Sequence, residues 1–193
     1  MLQENLINVQ AKIDAALARR TEEKITGNKV TLVAVTKNHP AEVITDAFNL
    51  GVPVIGENRV QEAKAKREIV GKGSGRWHLI GHLQTNKAKQ AVAIFDMIES
   101  ADSVHLMQAV DKEAAKAGKV QEILLQVNIA REEQKTGFSP EDYEAVVPEL
   151  DNFKNLHVRG LMVIAPAAEN SEDIRWVFAE GYKLYCKLKQ QRP

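Results

Sequence analysis

Six times along the chain a short apolar run gives way to a longer amphipathic stretch, and this alternation restricts the fold more than any other feature. Val30 to Thr36 is the first run, too short for a typical helix and bounded by Gly27-Asn28 and His39-Pro40. A continuous apolar run, as opposed to an alternating one, marks a strand buried on both faces. Pro40 then opens a helix where its missing N–H does least harm, and Gly51 closes it. The pattern repeats as strand Val52 to Gly56, helix Glu57 to Ile69, strand Arg76 to Ile80, helix Thr85 to Ala93 and strand Phe95 to Ser100. Asp102 is the expected cap of the next helix. After Gly118 come strand Glu122 to Ile129, a helix from Ser139-Pro140 to Leu150, strand Leu156 to Ile164 and a last helix from about Ser171 to Lys189. Ahead of the first strand, Leu2, Ile7, Val9, Ile13, Ala16 and Leu17 recur at roughly helical spacing and predict an additional N-terminal helix.

Strands each followed by a helix over short connections predict a parallel sheet covered by helices. A doubly wound open sheet and a (β/α)8 barrel both satisfy the pattern. A dinucleotide-binding sheet would carry phosphate glycines after its first strand, where this chain has Thr36-Lys37-Asn38-His39-Pro40. The barrel is therefore favoured. Gly71-Lys72-Gly73-Ser74-Gly75 precedes a strand instead of joining strand to helix, which marks it as a flexible connection. A length of 193 residues predicts a single domain, residues 1–193.

Basic and acidic residues balance at 26 each, so the overall charge draws the chain neither to nucleic acid nor to an anionic membrane. Basic clusters such as Lys64, Lys66, Arg67 and Lys87, Lys89 have acidic neighbours on predicted helices and are expected to form solvated faces. The lone Cys186 has no internal partner and sits among Leu184 and Leu188, a packing position compatible with a reducing compartment. No basic start followed by an apolar core marks a signal peptide, and no apolar stretch has the length of a membrane span. A cytoplasmic protein is expected.

In a parallel α/β protein, functional groups collect where strands end. That rule selects Lys37, Glu57-Asn58-Arg59, Trp77-His78 to His82, Ser100 to Asp102, Asn128, and Met162 to Pro166. Lys37 shares a strand face with Val33 and Val35, expected to point into the barrel. Desolvation there would favour a neutral amine able to form an imine with an aldehyde; the alternative is a strand-end lysine reaching into water. His78 and His82 straddle Gly81 without an apparent third ligand, so no metal site is expected. Asn58 fits either a loop cap or a ligand contact, and Met162 either core or contact.

Four linked segments, Leu32-Val-Ala-Val-Thr-Lys37, Gly56-Glu-Asn-Arg-Val-Gln-Glu62, Trp77-His-Leu-Ile-Gly-His-Leu-Gln-Thr-Asn-Lys87 and Gly160-Leu-Met-Val-Ile-Ala-Pro166, strongly resemble the pyridoxal phosphate homeostasis protein family. Members of that family are single-domain relatives of the barrel of alanine racemase. The likeness runs from the first helix to the last. It implies an alanine-racemase-type barrel holding pyridoxal 5'-phosphate as a Schiff base on Lys37, with Asn58, His78 and Met162 around the cofactor. Lys135, in Gln134-Lys-Thr-Gly-Phe138, matches a loop lysine of secondary contact.

The family's remaining segment carries a serine- and glycine-rich turn for the phosphate and an arginine facing the pyridine nitrogen. The given chain stops at Gln191-Arg-Pro193, with six βα units where closure takes eight, so it is expected to lack the last two strands and to bind the cofactor more loosely. The resemblance implies storage, buffering or delivery of the cofactor, with apo pyridoxal-phosphate enzymes as acceptors and a monomer or weak homodimer as the working form. A racemase needs a second acid or base opposite the lysine, and Tyr143, Tyr182 and Tyr185 all fall on predicted outer helices. A binding protein is therefore expected over an enzyme. The competing readings are a weak amino-acid racemase, a cofactor-free lysine aldolase and a scaffold whose vestigial lysine binds nothing.

Overall fold

The computed structural model describes residues 2–20, 27, 29–71 and 75–191. Helix α1 (Leu2–Ala18) precedes β1 (Val33–Val35), α2 (Glu42–Asn49), β2 (Val54–Glu57), α3 (Val60–Val70), β3 (Arg76–Leu79) and α4 (Ala88–Ile94). Then follow β4 (Met97–Ala101), α5 (Val104–Lys116), β5 (Gln121–Val127), α6 (Pro140–Val146), β6 (Leu156–Val163) and α7 (Arg175–Gln191). The strands form one six-stranded sheet in the order β1-β2-β3-β4-β5-β6, and every neighbouring pair is parallel. Sequential order throughout is the topology of a barrel wall; a doubly wound sheet reverses its order at a switch point. The sheet is not closed, since β1 and β6 each pair with one strand among the described residues.

Register gives the sheet two faces. Ala34, Ile55 and Trp77 are cross-strand partners, as are Leu79, Ile98 and Ile123. Ile55, Trp77, Leu79 and Ile98 are fully buried, in one core with Ile44 of α2, Ala63 of α3, Ala91 of α4 and Leu106 of α5. Each large apolar side chain so covered contributes about 1.5–3 kcal/mol. The other face carries Val35, Gly56, His78, Met97 and Glu122 in register. Its polar content is what a barrel interior with a ligand mouth needs and a plain hydrophobic core does not.

Several boundaries differ from expectation for identifiable reasons. β1 is limited to Val33–Val35 because β2 is its only strand partner among the described residues; the ladder continues by one bond, from Thr36 N–H to Gly56 O at 3.0 Å. Glu57 closes β2 and does not open the helix, which starts at Val60. Ser103, and not Asp102, caps α5: its hydroxyl accepts the Leu106 N–H at 3.3 Å, while the Asp102 carboxylate meets His82 Nδ1 at 2.8 Å. α6 stops at Val146 and passes into a tighter turn, Val147–Asn152, because Pro148 has no N–H for the bond that an α-helix would require of it. Similar 3-10 turns, Thr85–Lys87 and Ser171–Ile174, precede α4 and α7. Residues 72–74 of the expected glycine-rich connection lie outside the described residues.

The expected solvated face of α3 is corrected as well. Lys66 is only 6% exposed, and the Arg67 guanidinium lies over the Trp77 ring, 5.0 Å from its centroid. Both face the sheet because Glu57 and Trp77, on its helix-covered side, offer a carboxylate and an aromatic plane. Among the described residues no helix is long and apolar enough to cross a membrane, and no group of three or more His, Cys, Asp or Glu side chains is placed to hold a metal.

Candidate functional site

Lys37 stands just beyond β1, in a turn closed by the His39 N–H on Thr36 O at 3.1 Å. Asn38 takes φ 62°. Asparagine tolerates this left-handed conformation better than most residues, and a positive φ at the third position of such a turn directs the chain sharply into α2. Lys37 is exposed, and Val35 is 46% exposed. The apolar, desolvated setting expected for this amine is therefore not observed, since β1 forms a margin of the sheet. What the fold supplies is an accessible amine at a strand end.

Two residues past the paired Val35 and Gly56 come Lys37 and Asn58, at the ends of adjacent strands. Asn58 is half-buried, and its backbone is met by Gly81. A Cβ on Gly81 would lie 2.3 Å from Asn58 O, so only glycine allows the β2 and β3 loops to close on one another. Replacing Gly81 by alanine is expected to cost about 1–3 kcal/mol through overpacking. Urea denaturation measures it, and an unchanged midpoint would refute the loop contact.

His78, on β3, is 6% exposed, and its Nδ1 meets Glu99 Oε1 on β4 at 2.6 Å. Its Nε2 is buried without a hydrogen-bond partner among the described residues. A buried polar atom left open is costly, and one oriented from behind by a carboxylate is arranged as a ligand-binding imidazole would be. Glu99 was not among the expected site residues; its strand alternation with Met97 put it on the inner face, but its partner is set only by the β3–β4 register. Met162 is half-buried on β6, at the opposite margin of the sheet from β1. Lys37 and Asn58 thus follow the ends of β1 and β2, His78 lies one residue before the end of the neighbouring β3, and Met162 lies on β6 at the other margin of the sheet.

Around this mouth, His82 presents an exposed ring backed by Asp102. Asn128 folds the loop after β5, its amide donating to Glu132 O at 2.9 Å and Lys135 O at 3.2 Å. Lys135 Nζ in turn donates to Ala165 O beyond β6 at 3.0 Å and pairs with Glu132. At the opposite end of the strands, burial would raise the Glu122 carboxyl, but Arg76, with Arg159 and His157 beside it, holds it below its ordinary value. Tyr143 lies on α6, and Tyr182 and Tyr185 lie on α7.

Residues 15–192 match the model of the alanine racemase N-terminal domain. The pyridoxal phosphate homeostasis protein of Aquifex aeolicus is 36% identical over 188 residues, 97% of this chain and 81% of the relative. The chain belongs to the pyridoxal phosphate homeostasis protein family. The family's Haemophilus influenzae member is 32% identical over 195 residues, covering 100% of this chain and 81% of that protein. Among solved structures, PipY of Synechococcus elongatus with pyridoxal phosphate bound superposes with a TM-score of 0.78 at 37% identity, over 95% of this chain and 83% of that one. Alanine racemase of Clostridium difficile shares the fold alone, with a TM-score of 0.71 at 15% identity over 95% of this chain and 47% of that one. The architecture is accordingly that of the alanine racemase N-terminal barrel, represented here by six of its strands.

Proposed function

We propose that the protein binds pyridoxal 5'-phosphate and serves cytoplasmic vitamin B6 homeostasis by storing, buffering or delivering it, with the cofactor held as a Schiff base on Lys37. The observation that carries this reading is the exposed Lys37 beside Asn58 and the buried, open Nε2 of His78. Its support is the likeness to PipY, whose structure holds pyridoxal phosphate. The residues present fit the group: an amine for its aldehyde, and an imidazole and a carboxamide for its ring substituents.

The cofactor supplies an aldehyde that condenses with an amine. Lys37 would hold the group through its primary amine, exposed at the end of β1, where condensation with the aldehyde would release one water and leave oxidation states unchanged. Glu99 fixes the His78 ring through Nδ1, so Nε2 keeps one direction for a donor or acceptor role. Met162 offers an apolar wall. Lys135 is a secondary contact from the loop after β5, and apo pyridoxal-phosphate enzymes are the acceptors on delivery.

Incubation with pyridoxal phosphate, borohydride reduction and peptide mass mapping test the attachment. One pyridoxyl-modified peptide containing Lys37 is expected. A label on another lysine, or none, would overturn the proposal.

A further inference from the structure

Behind Lys37 lies a buried charge cluster that the proposed function leaves unused. Lys66 Nζ donates to Glu57 Oε1, Glu62 Oε1 and Thr36 O, each at 2.7 Å. The Thr36 hydroxyl donates to Glu57 Oε1 at 2.6 Å, and Glu62 Oε1 accepts the Asn38 N–H at 2.7 Å. Glu57 is 0% exposed and Lys66 6%. The Lys66 ammonium, with the Asn38 N–H second to it, holds the Glu62 carboxyl below its ordinary value and so keeps it anionic.

A buried ion pair is seldom worth more to stability than well-packed hydrocarbon of the same volume. What it supplies is direction, and here two of its bonds reach the backbone on either side of one residue, Lys66 Nζ on Thr36 O and the Asn38 N–H on Glu62 Oε1. On the near side, Thr36 gives its N–H to Gly56 O and its carbonyl to both His39 N–H and Lys66. On the far side, Glu62 pins Asn38. Both peptide units that flank Lys37 are therefore fixed while its four-carbon stem stays exposed.

We infer that Lys66, with Glu57, Glu62 and Thr36, is a positioning device for the Lys37 amine: it fixes the direction in which the stem leaves the strand end. These are positioning residues, since they act through the backbone of Lys37. The inference rests on Lys37 being the attachment point. Imine formation is sensitive to where the nitrogen stands, and a misplacement of about 1 Å costs up to about 100-fold in rate.

The test follows imine formation with pyridoxal phosphate by visible absorbance in the parent, Glu62→Gln, Thr36→Val and Thr36→Ser, with borohydride mapping of each product. Glu62→Gln and Thr36→Val are expected to slow imine formation at Lys37 by about tenfold while keeping a cooperative melt. Thr36→Ser, which restores the hydroxyl on Glu57, recovers most of that loss. Parent-like rates in the folded variants would overturn the inference, as would a Thr36→Ser rate no better than that of Thr36→Val. Should Thr36→Val not fold, Glu62→Gln, at a less buried position, decides alone. A reduced parent labelled away from Lys37 sinks the attachment reading itself, whereas equal labelling of Lys37 in parent and variants removes only the positioning role.

Discussion

Replacing Lys37 by alanine is expected to abolish the visible absorbance that pyridoxal phosphate acquires on the protein, together with the borohydride-stable label. The physical basis is narrow. An imine needs a primary amine, and the neighbouring strand ends supply Asn58 and His78, neither of which has one. Lys37 is exposed, so its truncation should change stability by no more than about 0.5 kcal/mol, and lost colour would not reflect lost fold. Lys37→Arg separates chemistry from charge: guanidinium keeps the positive charge but stays protonated and cannot add to the aldehyde. Arginine is expected to be as colourless as alanine under equal loading, with an unchanged melting profile for both. A Lys37→Ala protein as yellow as its parent, or a Lys37→Arg protein that still forms the absorbing species, would refute the attachment.

The alternation of apolar runs and amphipathic stretches made the parallel sheet and its sequential strand order legible, because strands covered by helices on one side and a barrel interior on the other must be built that way. The excluded alternative was excluded for a sound reason, since the turn after β1 carries Lys37 and Asn38 in place of phosphate glycines. Strand lengths were less legible. The β-branched composition of Val30 to Thr36 speaks for strand, yet the length of β1 depends on a partner strand that lies elsewhere in the chain. Lys37 follows a strand end, as its sequence context predicts, but not in the desolvated setting expected for it, because exposure at a sheet margin is a property of tertiary structure.

Lys66 shows the same limit most clearly. Its spacing from Glu62 is an ordinary i,i+4 helix pair of the kind found on solvated faces, and nothing local distinguishes it from Lys64 and Glu68, which are exposed. Glu57, arriving from β2 with its carboxylate on the helix-covered side, and Thr36 O just beyond β1 turn Lys66 inward. Ser103 and Asp102 present a related ambiguity. Both residue types cap helices, and the choice was made by His82, which engages Asp102.

Lys66→Met is expected to be the most destabilising single change in this region. Methionine reproduces the length of the stem without the charge. It leaves the Glu57 carboxylate, 0% exposed, with the Thr36 hydroxyl as its remaining partner among those described. Breaking a buried ion pair from one side costs about 3–5 kcal/mol, a large part of the roughly 5–15 kcal/mol that holds a domain together. Adding Glu57→Gln to Lys66→Met removes the stranded charge and should recover part of that loss, a coupling that a double-mutant cycle in urea would read directly. The effect also has a pH signature. Glu62 has a folded-state pKa held below 4.5, chiefly by Lys66, so its contribution is present above that value and is lost as the pH falls through the folded pKa. Without Lys66 there is less to lose, and the stability gap between parent and variant should narrow on acidification. A gap that stayed constant from neutral pH to well below 4.5, or a double variant no more stable than the single, would show that the Lys66 cluster is not the coupled unit its hydrogen bonds describe.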